Sequence, residues 1–200
     1  MTKHIIWLKK ERNINFVAQK LKEGELVIIP TDTIYGILTN CFSKKGIKKI
    51  YQIKRRDKNK PLLVLVSDFE MLKKLVLLKN LKIKESVLKK IMRKPVTVIF
   101  KARKNLPHAI VKNGKIAIRI PKNKLLQKII KSANTPLVAP SANISGEKPK
   151  RFFWQIIKEF QNKVKYIFWK FIIWDIRPST IIDCTGMEIK YIRIGRVKKI

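Results

Sequence analysis

The stretch Pro30-Thr31-Asp32-Thr33-Ile34-Tyr35-Gly36 places two hydroxyls, a carboxylate and a phenol at the exit of the apolar run Leu26-Val27-Ile28-Ile29. Hydroxyls in such a turn either hold a small polar ligand or satisfy nearby backbone groups. Further along come Lys54, Arg56, Lys60, Lys115, Arg119 and Arg193, with Ser141, Asn143, Ser145 and Ser179. Cations and hydroxyls without a nucleophile suit phosphoryl or adenylyl transfer, where a protein mainly positions reactants and neutralises developing charge. Other chemistries are not indicated. The chain has no Gly-x-Gly-x-x-Gly, no Gly-Lys-Ser/Thr and no His-Glu-x-x-His. His4 and His108 have no Cys nearby in sequence, so neither a Ser/Cys-His pair nor a metal cluster is expected.

Taken singly, each residue has a plainer use. Lys54 and Arg56 suit the end of a helix as solvated cations, Ser141-Ala142-Asn143 reads as a turn, and Arg119 as a solvated strand residue. Their order and strand contexts carry the argument.

The elements that must position them alternate along the chain. Ile14, Val17 and Leu21 share one face of a helix over about 13–22, with Gly24 as its terminator, ahead of a strand over 26–29. Ile47, Ile50, Tyr51 and Lys54 predict a helix over 43–54, which puts Lys54 and Arg56 at its C-terminal end, where cations suit the dipole. A strand over 62–66 follows, then helices over about 68–78 and 83–92 and strands over 96–100 and 116–120. In the last of these Arg119 faces away from Ile118 and Ile120. A helix over about 123–131, a short strand over 137–139, the turn-rich loop 140–150, a helix over about 152–160 and strands near 181–182 and 190–194 complete the chain. The interleaving argues an α/β, or mixed α+β, fold on one open sheet.

Two hundred residues with 46% hydrophobic content suit a single domain, 1–200, able to bury roughly 70% of the unfolded chain's surface. Cys41 and Cys184 form no Cys-x-x-Cys spacing, and no apolar run is long enough for a signal peptide core or a membrane span, which implies a cytoplasmic protein. The net charge of +34 leaves most cations without an acidic partner, facing water or a polyanion such as RNA. Because Lys outnumbers Arg 37 to 10 and is spread throughout, compositional drift accounts for much of that charge. Phe152, Phe153, Trp154, Phe168, Trp169, Phe171 and Trp174 serve either as base-stacking faces or as core and covering flap.

Together, the heptapeptide, Lys54-Arg55-Arg56, Ser141-Ala142-Asn143 and Ser179-Thr180 resemble the YrdC/TsaC family of threonylcarbamoyl-AMP synthases, from about Leu26 to Arg196. The resemblance implies the short, single-domain form of a YrdC-like fold, a twisted mixed sheet flanked by helices with a concave basic cleft. It implies synthesis of L-threonylcarbamoyladenylate and pyrophosphate from L-threonine, bicarbonate and ATP, with Mg2+ arriving on the nucleotide and no protein metal site. The product would serve N6-threonylcarbamoyladenosine formation in tRNA beside the anticodon, through a separate transferase complex. On this resemblance Lys54, Arg56, Ser141 and Asn143 are catalytic, and Thr31, Thr33, Tyr35, Arg119, Ala139 and Ser179 hold threonine. ATP falls to Lys54, Arg56, Lys60, Lys115, Ser141, Asn143 and Arg193. A guanidinium such as Arg119 matches a carboxylate with two parallel donors.

The chain departs from the family pattern at Met92-Arg93-Lys94-Pro95, where many members have Trp-Pro-Gly-Pro. It departs also at Leu65, Lys60 and the residue before Gly195. Two alternatives stay open: a non-catalytic RNA-binding or ribosome-associated protein on the same fold, and a carbamoyl-adenylate-forming relative.

Overall fold

The computed structural model describes residues 4–7, 11–79, 81, 83–169 and 177–198. Their eleven strands are β1 (His4–Trp7), β2 (Val27–Pro30), β3 (Tyr35–Asn40), β4 (Val64–Leu65), β5 (Val96–Lys101), β6 (Val111–Lys112), β7 (Lys115–Arg119), β8 (Leu137–Val138), β9 (Tyr166–Trp169), β10 (Thr180–Asp183) and β11 (Lys190–Arg193). They form one mixed sheet in the order β1-β9-β2-β3-β8-β4-β7-β5-β10-β11, with β6 paired to β7. The helices are α1 (Glu11–Lys22), α2 (Lys44–Lys54), α3 (Phe69–Lys73), α4 (Glu85–Met92), α5 (Lys124–Ala133) and α6 (Phe153–Phe160).

Local chemistry sets the ends of α2 and α5. The Ser43 hydroxyl accepts from the Gly46 amide at the start of α2, and the Asn123 carboxamide accepts from the Leu125 and Leu126 amides at the start of α5. Arg55, in the left-handed region at φ 48°, closes α2 by donating its N–H to Gln52 O, while Arg56 donates to Tyr51 O. That turn sends Lys54 and Arg56 in different directions at one helix end.

The two faces of the sheet are covered unequally. One aliphatic cluster runs from Ile28 and Ile37 through Val64 and Ile118 to Val98 and Ile182, and it receives Ile50 of α2, Leu88 of α4 and Ile156 of α6. On the other face Val27, Leu38, Leu65 and Leu137 pack against α1 and α5 through Val17, Leu21, Leu126 and Ile130. That second cluster stops at β4. Beyond it, Ala117, Ile99 and Ile181 are only half-buried, while their neighbours Ile118, Val98 and Ile182 are fully buried. Residues paired across β7, β5 and β10 share a face, so among the described residues this end of the sheet presents an uncovered floor.

Several elements differ from the sequence expectation. The strand expected over 62–66 pairs only at Val64–Leu65, its flanks bonding outward as Leu62 N–H to Ala109 O and Val66 N–H to Arg119 O. The helix expected over 68–78 ends at Lys73, after which Val76 bridges Ala102. The sequence expectation omits β1, β3, β6 and β9; in β3, Ile37 enters one cluster and Leu38 the other, so no polar alternation marks it.

Candidate active site

Lys54 is 1% exposed, and its ammonium donates to Ser141 O and Asn143 O, each at 2.5 Å. Its own carbonyl accepts from Ser145 N–H at 2.8 Å. One side chain and one carbonyl thereby fasten the loop after β8 to the end of α2. The Ser141 loop also lies along the start of β3, through the Gly36–Ser141 bridge and Ala142 N–H to Tyr35 O. Asn143 donates its Nδ2 to Ile144 O and Glu147 O, while its Oδ1 and the Ser145 hydroxyl, both buried, have no hydrogen-bond partner among the described residues. Burial pushes the Lys54 ammonium down to about 8, helped by the Arg56 charge and opposed by Glu159.

Arg56 folds back on its own loop, donating to Lys60 O and Pro61 O. Burial lowers its pKa too, partly offset by Tyr51 and Asp57. The Lys60 side chain is exposed, its carbonyl taken by Arg56 and Tyr51.

A second corner forms around Arg119, which is 3% exposed. Its Nη1 donates to Thr33 Oγ1 at 3.0 Å, and its Nη2 lies 2.6 Å from Asp32 Oδ1. That ion pair is close but poorly aligned: Arg119 Nε and Nη2 and Asp32 Oδ1 have no hydrogen-bond partner of proper geometry among the described residues. The two threonines differ in role. Thr31 Oγ1 donates to Ile34 O and accepts from the Thr33 and Ile34 amides, so its hydroxyl shapes the turn. Thr33 Oγ1 lies between Arg119 and the already engaged Thr31 oxygen, at 3.1 Å.

Ser179 and Arg193 adjoin this corner. The Thr97 and Ser179 hydroxyls are 2.8 Å apart and buried, and Arg193 donates through Nε and Nη2 to Ser179 O. Burial lowers the Arg193 pKa, and the Arg119 charge lowers it further, so the two guanidiniums sense each other. Gly195 packs where a Cβ would run into the Pro178 and Ser179 carbonyls, and its amide donates to Thr180 Oγ1. The Arg196 guanidinium crosses to Asp32 O at 2.7 Å. The altered segment ahead of Val96 contributes Pro95 O as the acceptor for Thr180 N–H.

The structure therefore brings Thr31, Thr33, Arg119, Ser179 and Arg193 into one linked network, and Lys54, Ser141 and Asn143 into another, joined through the 31–36 segment. Lys115 sits down the uncovered floor, paired with Asp183 at 2.8 Å. Ala139 is buried in the α1–α5 cluster, and the Tyr35 ring lies in the opposite cluster, 6.3 Å from the Phe153 ring. The aromatic set divides. Phe168 is core, Phe153 and Trp169 are half-buried, Phe152 and Trp154 are exposed, and Phe171 and Trp174 lie outside the described residues. Sequence reasoning passed over Asp32 as a site residue, although it stands inside the heptapeptide, and over Thr97 and Arg196, whose separation from their partners left no local signal.

The Sua5/YciO/YrdC family model, which carries the description "Telomere recombination", matches residues 19–195. The chain belongs to this family. A Methanocaldococcus jannaschii protein named "Putative threonylcarbamoyl-AMP synthase" is 33% identical over 193 residues, covering 94% of this chain and 87% of that protein. A Pyrococcus abyssi threonylcarbamoyl-AMP synthase is 30% identical over 160 residues, covering 79% of this chain and 46% of that protein. The crystal structure of P. abyssi Sua5 complexed with L-threonine superposes with a TM-score of 0.83 at 27% identity, over 97% of this chain and 56% of that one. The chain thus spans nearly the whole of one family member and about half of the others. These matches agree with the mixed sheet flanked by helices and with the family expected from the motifs.

Proposed function

We propose that the protein is an L-threonylcarbamoyladenylate synthase, forming the adenylate and pyrophosphate from L-threonine, bicarbonate and ATP. The observation that carries this reading is Arg119: a buried guanidinium, held by Thr33 and Asp32, with two nitrogens lacking an aligned acceptor among the described residues. Buried donors are almost always completed by a protein group, water or a ligand, and a carboxylate fits a guanidinium edge. Arg193 beside it makes two guanidiniums against the one Asp32 carboxylate, a local surplus that suits an anionic substrate. The relatives named threonylcarbamoyl-AMP synthase, and the Sua5 complex with L-threonine, support the same choice of ligand.

In this reading threonine lies at the Thr33–Arg119–Ser179 corner and the ATP phosphates lie toward Lys54, Arg56, Ser141, Asn143 and Arg193, with Lys60 and Lys115 at the margin of a basic cleft. The threonine amine takes up bicarbonate with loss of water, and a carbamate oxygen attacks the α-phosphorus. The bond from that phosphorus to the bridging oxygen breaks and pyrophosphate leaves. Both reactants are anionic, so the cations act by suppressing their repulsion. Among the described residues no three His, Cys, Asp or Glu side chains converge on a metal-sized site, and Mg2+ enters on the nucleotide's phosphates. No helix among the described residues is long and apolar enough to cross a membrane, and we assign a cytoplasmic site of action. The adenylate would pass to a separate transferase acting on tRNA.

A second reading, RNA contact, is favoured by one surface feature. The exposed Phe152 and Trp154 rings stack at 6.2 Å with an 8° interplanar angle, and the Arg151 guanidinium lies 5.4 Å from the Phe152 centroid. Flat rings beside a cation suit unpaired bases.

Pyrophosphate release that requires both L-threonine and bicarbonate, with serine and no-amino-acid controls, tests the synthase reading. Salt-sensitive RNA retention without such release would favour the second.

A further inference from the structure

Asp32 is contacted by three residues from two stretches of chain distant from it in sequence. Its Oδ1 lies against Arg119 at the end of β7, its Oδ2 accepts from the Lys122 amide at 3.0 Å in the turn that follows, and its backbone carbonyl accepts from Arg196 at 2.7 Å. The Asp32 and Arg119 side chains are 10% and 4% exposed, so little water screens their pairing. Arg196 belongs to the segment that carries Arg193, and that segment is laid on Ser179 and Thr180 through Arg193 to Ser179 O, Arg196 N–H to Pro178 O and Val197 N–H to Thr180 Oγ1. One residue therefore touches the guanidinium on the amino-acid side and the strap on the phosphate side.

We propose that Asp32 is the positioning residue that couples the two substrates: its carboxylate orients Arg119 toward the threonine carboxylate, and its carbonyl, through Arg196, seats the 193–197 segment that presents Arg193 to the nucleotide. The proposal rests on the synthase reading. With the strap seated, the carbonyl of Asp32 is held from outside and its side chain keeps one orientation toward Arg119, so occupancy of either half favours the geometry needed by the other. Coupling of this kind is reciprocal, each ligand changing the other's affinity by the same factor.

The test is equilibrium binding of L-threonine, by calorimetry, with and without saturating α,β-methylene-ATP and Mg2+. The wild type is expected to bind threonine about fivefold or more tightly when the analogue is present. Arg196→Met removes the tie to the Asp32 carbonyl and leaves the Asp32 and Arg119 side chains in place. It is expected to keep threonine affinity within about twofold while the enhancement falls to about one, and Arg196→Lys, which still offers a donor, recovers part of it. Asp32→Asn is expected to weaken threonine binding about tenfold or more with or without the analogue, because a buried guanidinium loses its charged partner. Thermal unfolding of each variant identifies any loss of fold. An unchanged enhancement in folded Arg196→Met, no enhancement in a wild type that does bind threonine, or wild-type affinity in Asp32→Asn would overturn the coupling alone. A wild type that binds no threonine would overturn the synthase reading itself, and the coupling with it.

Discussion

Lys54 and Arg119 are both cations with almost no exposure, in two regions joined by the 31–36 segment, yet they use their hydrogens differently. Lys54 gives two bonds to main-chain carbonyls and so builds the Ser141–Asn143 loop, leaving one N–H of the ammonium for other use. Arg119 is held by side chains, and two of its nitrogens keep no aligned acceptor among the described residues. Charge and burial alone therefore do not identify a ligand-binding cation. Where its hydrogens go distinguishes a clamp that also supplies field from a group made ready for a ligand.

The largest effect expected from that contrast is at Arg119. Arg119→Ala should lower kcat/KM for threonine about 10²–10³-fold, measured by threonine-dependent pyrophosphate release. Arg119→Lys should recover little, because an ammonium cannot present two parallel donors. A small effect would make the corner structural and erase the contrast.

Lys54→Met should show up first as stability. The Ser141 and Asn143 carbonyls lose their donor, costing about 2 kcal/mol in denaturant unfolding, and activity should fall with the loop. If stability is unchanged while activity vanishes, Lys54 belongs with Arg119 as a ligand-facing cation.

The alkaline side of the pH profile separates the two cations further. Burial depresses Lys54 to about 8, so its charge is present at pH 7 and is lost as the pH rises through that value. The free-enzyme profile of kcat/KM should decline on that limb, and the decline should be missing from the residual activity of Lys54→Met. Since the charged form is the one burial disfavours, the same group should make the fold slightly more stable as pH rises from about 8 toward its ordinary range, a sign opposite to that of a salt-bridged lysine.

Within the Arg119 corner the threonines should divide. Thr33→Val is expected to weaken threonine binding about tenfold, and Thr31→Val to cost about 1 kcal/mol of stability with the smaller effect on affinity. The smallest effect on turnover is expected from Phe152→Ala with Trp154→Ala, which should leave pyrophosphate release as it is while lowering RNA retention on a filter.

Legibility in sequence followed locality. The helix over 43–54 is readable because Ile47, Ile50, Tyr51 and Lys54 recur at three- and four-residue spacing, and in the structure Ser43 caps it. β3 was not, because Ile37 and Leu38 enter opposite clusters and neither face is polar. The strand over 62–66 was overread for a related reason: an apolar run says that a segment is buried, not how many of its residues find a ladder partner. In the candidate site, residue types and order pointed to the threonines, cations and serines. Asp32 escaped because its partners lie 87, 90 and 164 residues away along the chain.

By itself, then, the sequence determined the family, the alternation of helices and strands, and which side chains are chemically fit to meet anions, since those follow from residue type and short-range spacing. Only the tertiary structure decided which cation is bonded to carbonyls and which is held with nitrogens to spare, which threonine shapes its turn, and which aromatic rings stay outside the core. Those outcomes depend on contacts between strands that the sheet order β3-β8-β4-β7-β5-β10 makes neighbours, and no local pattern encodes the partner of a side chain across a sheet.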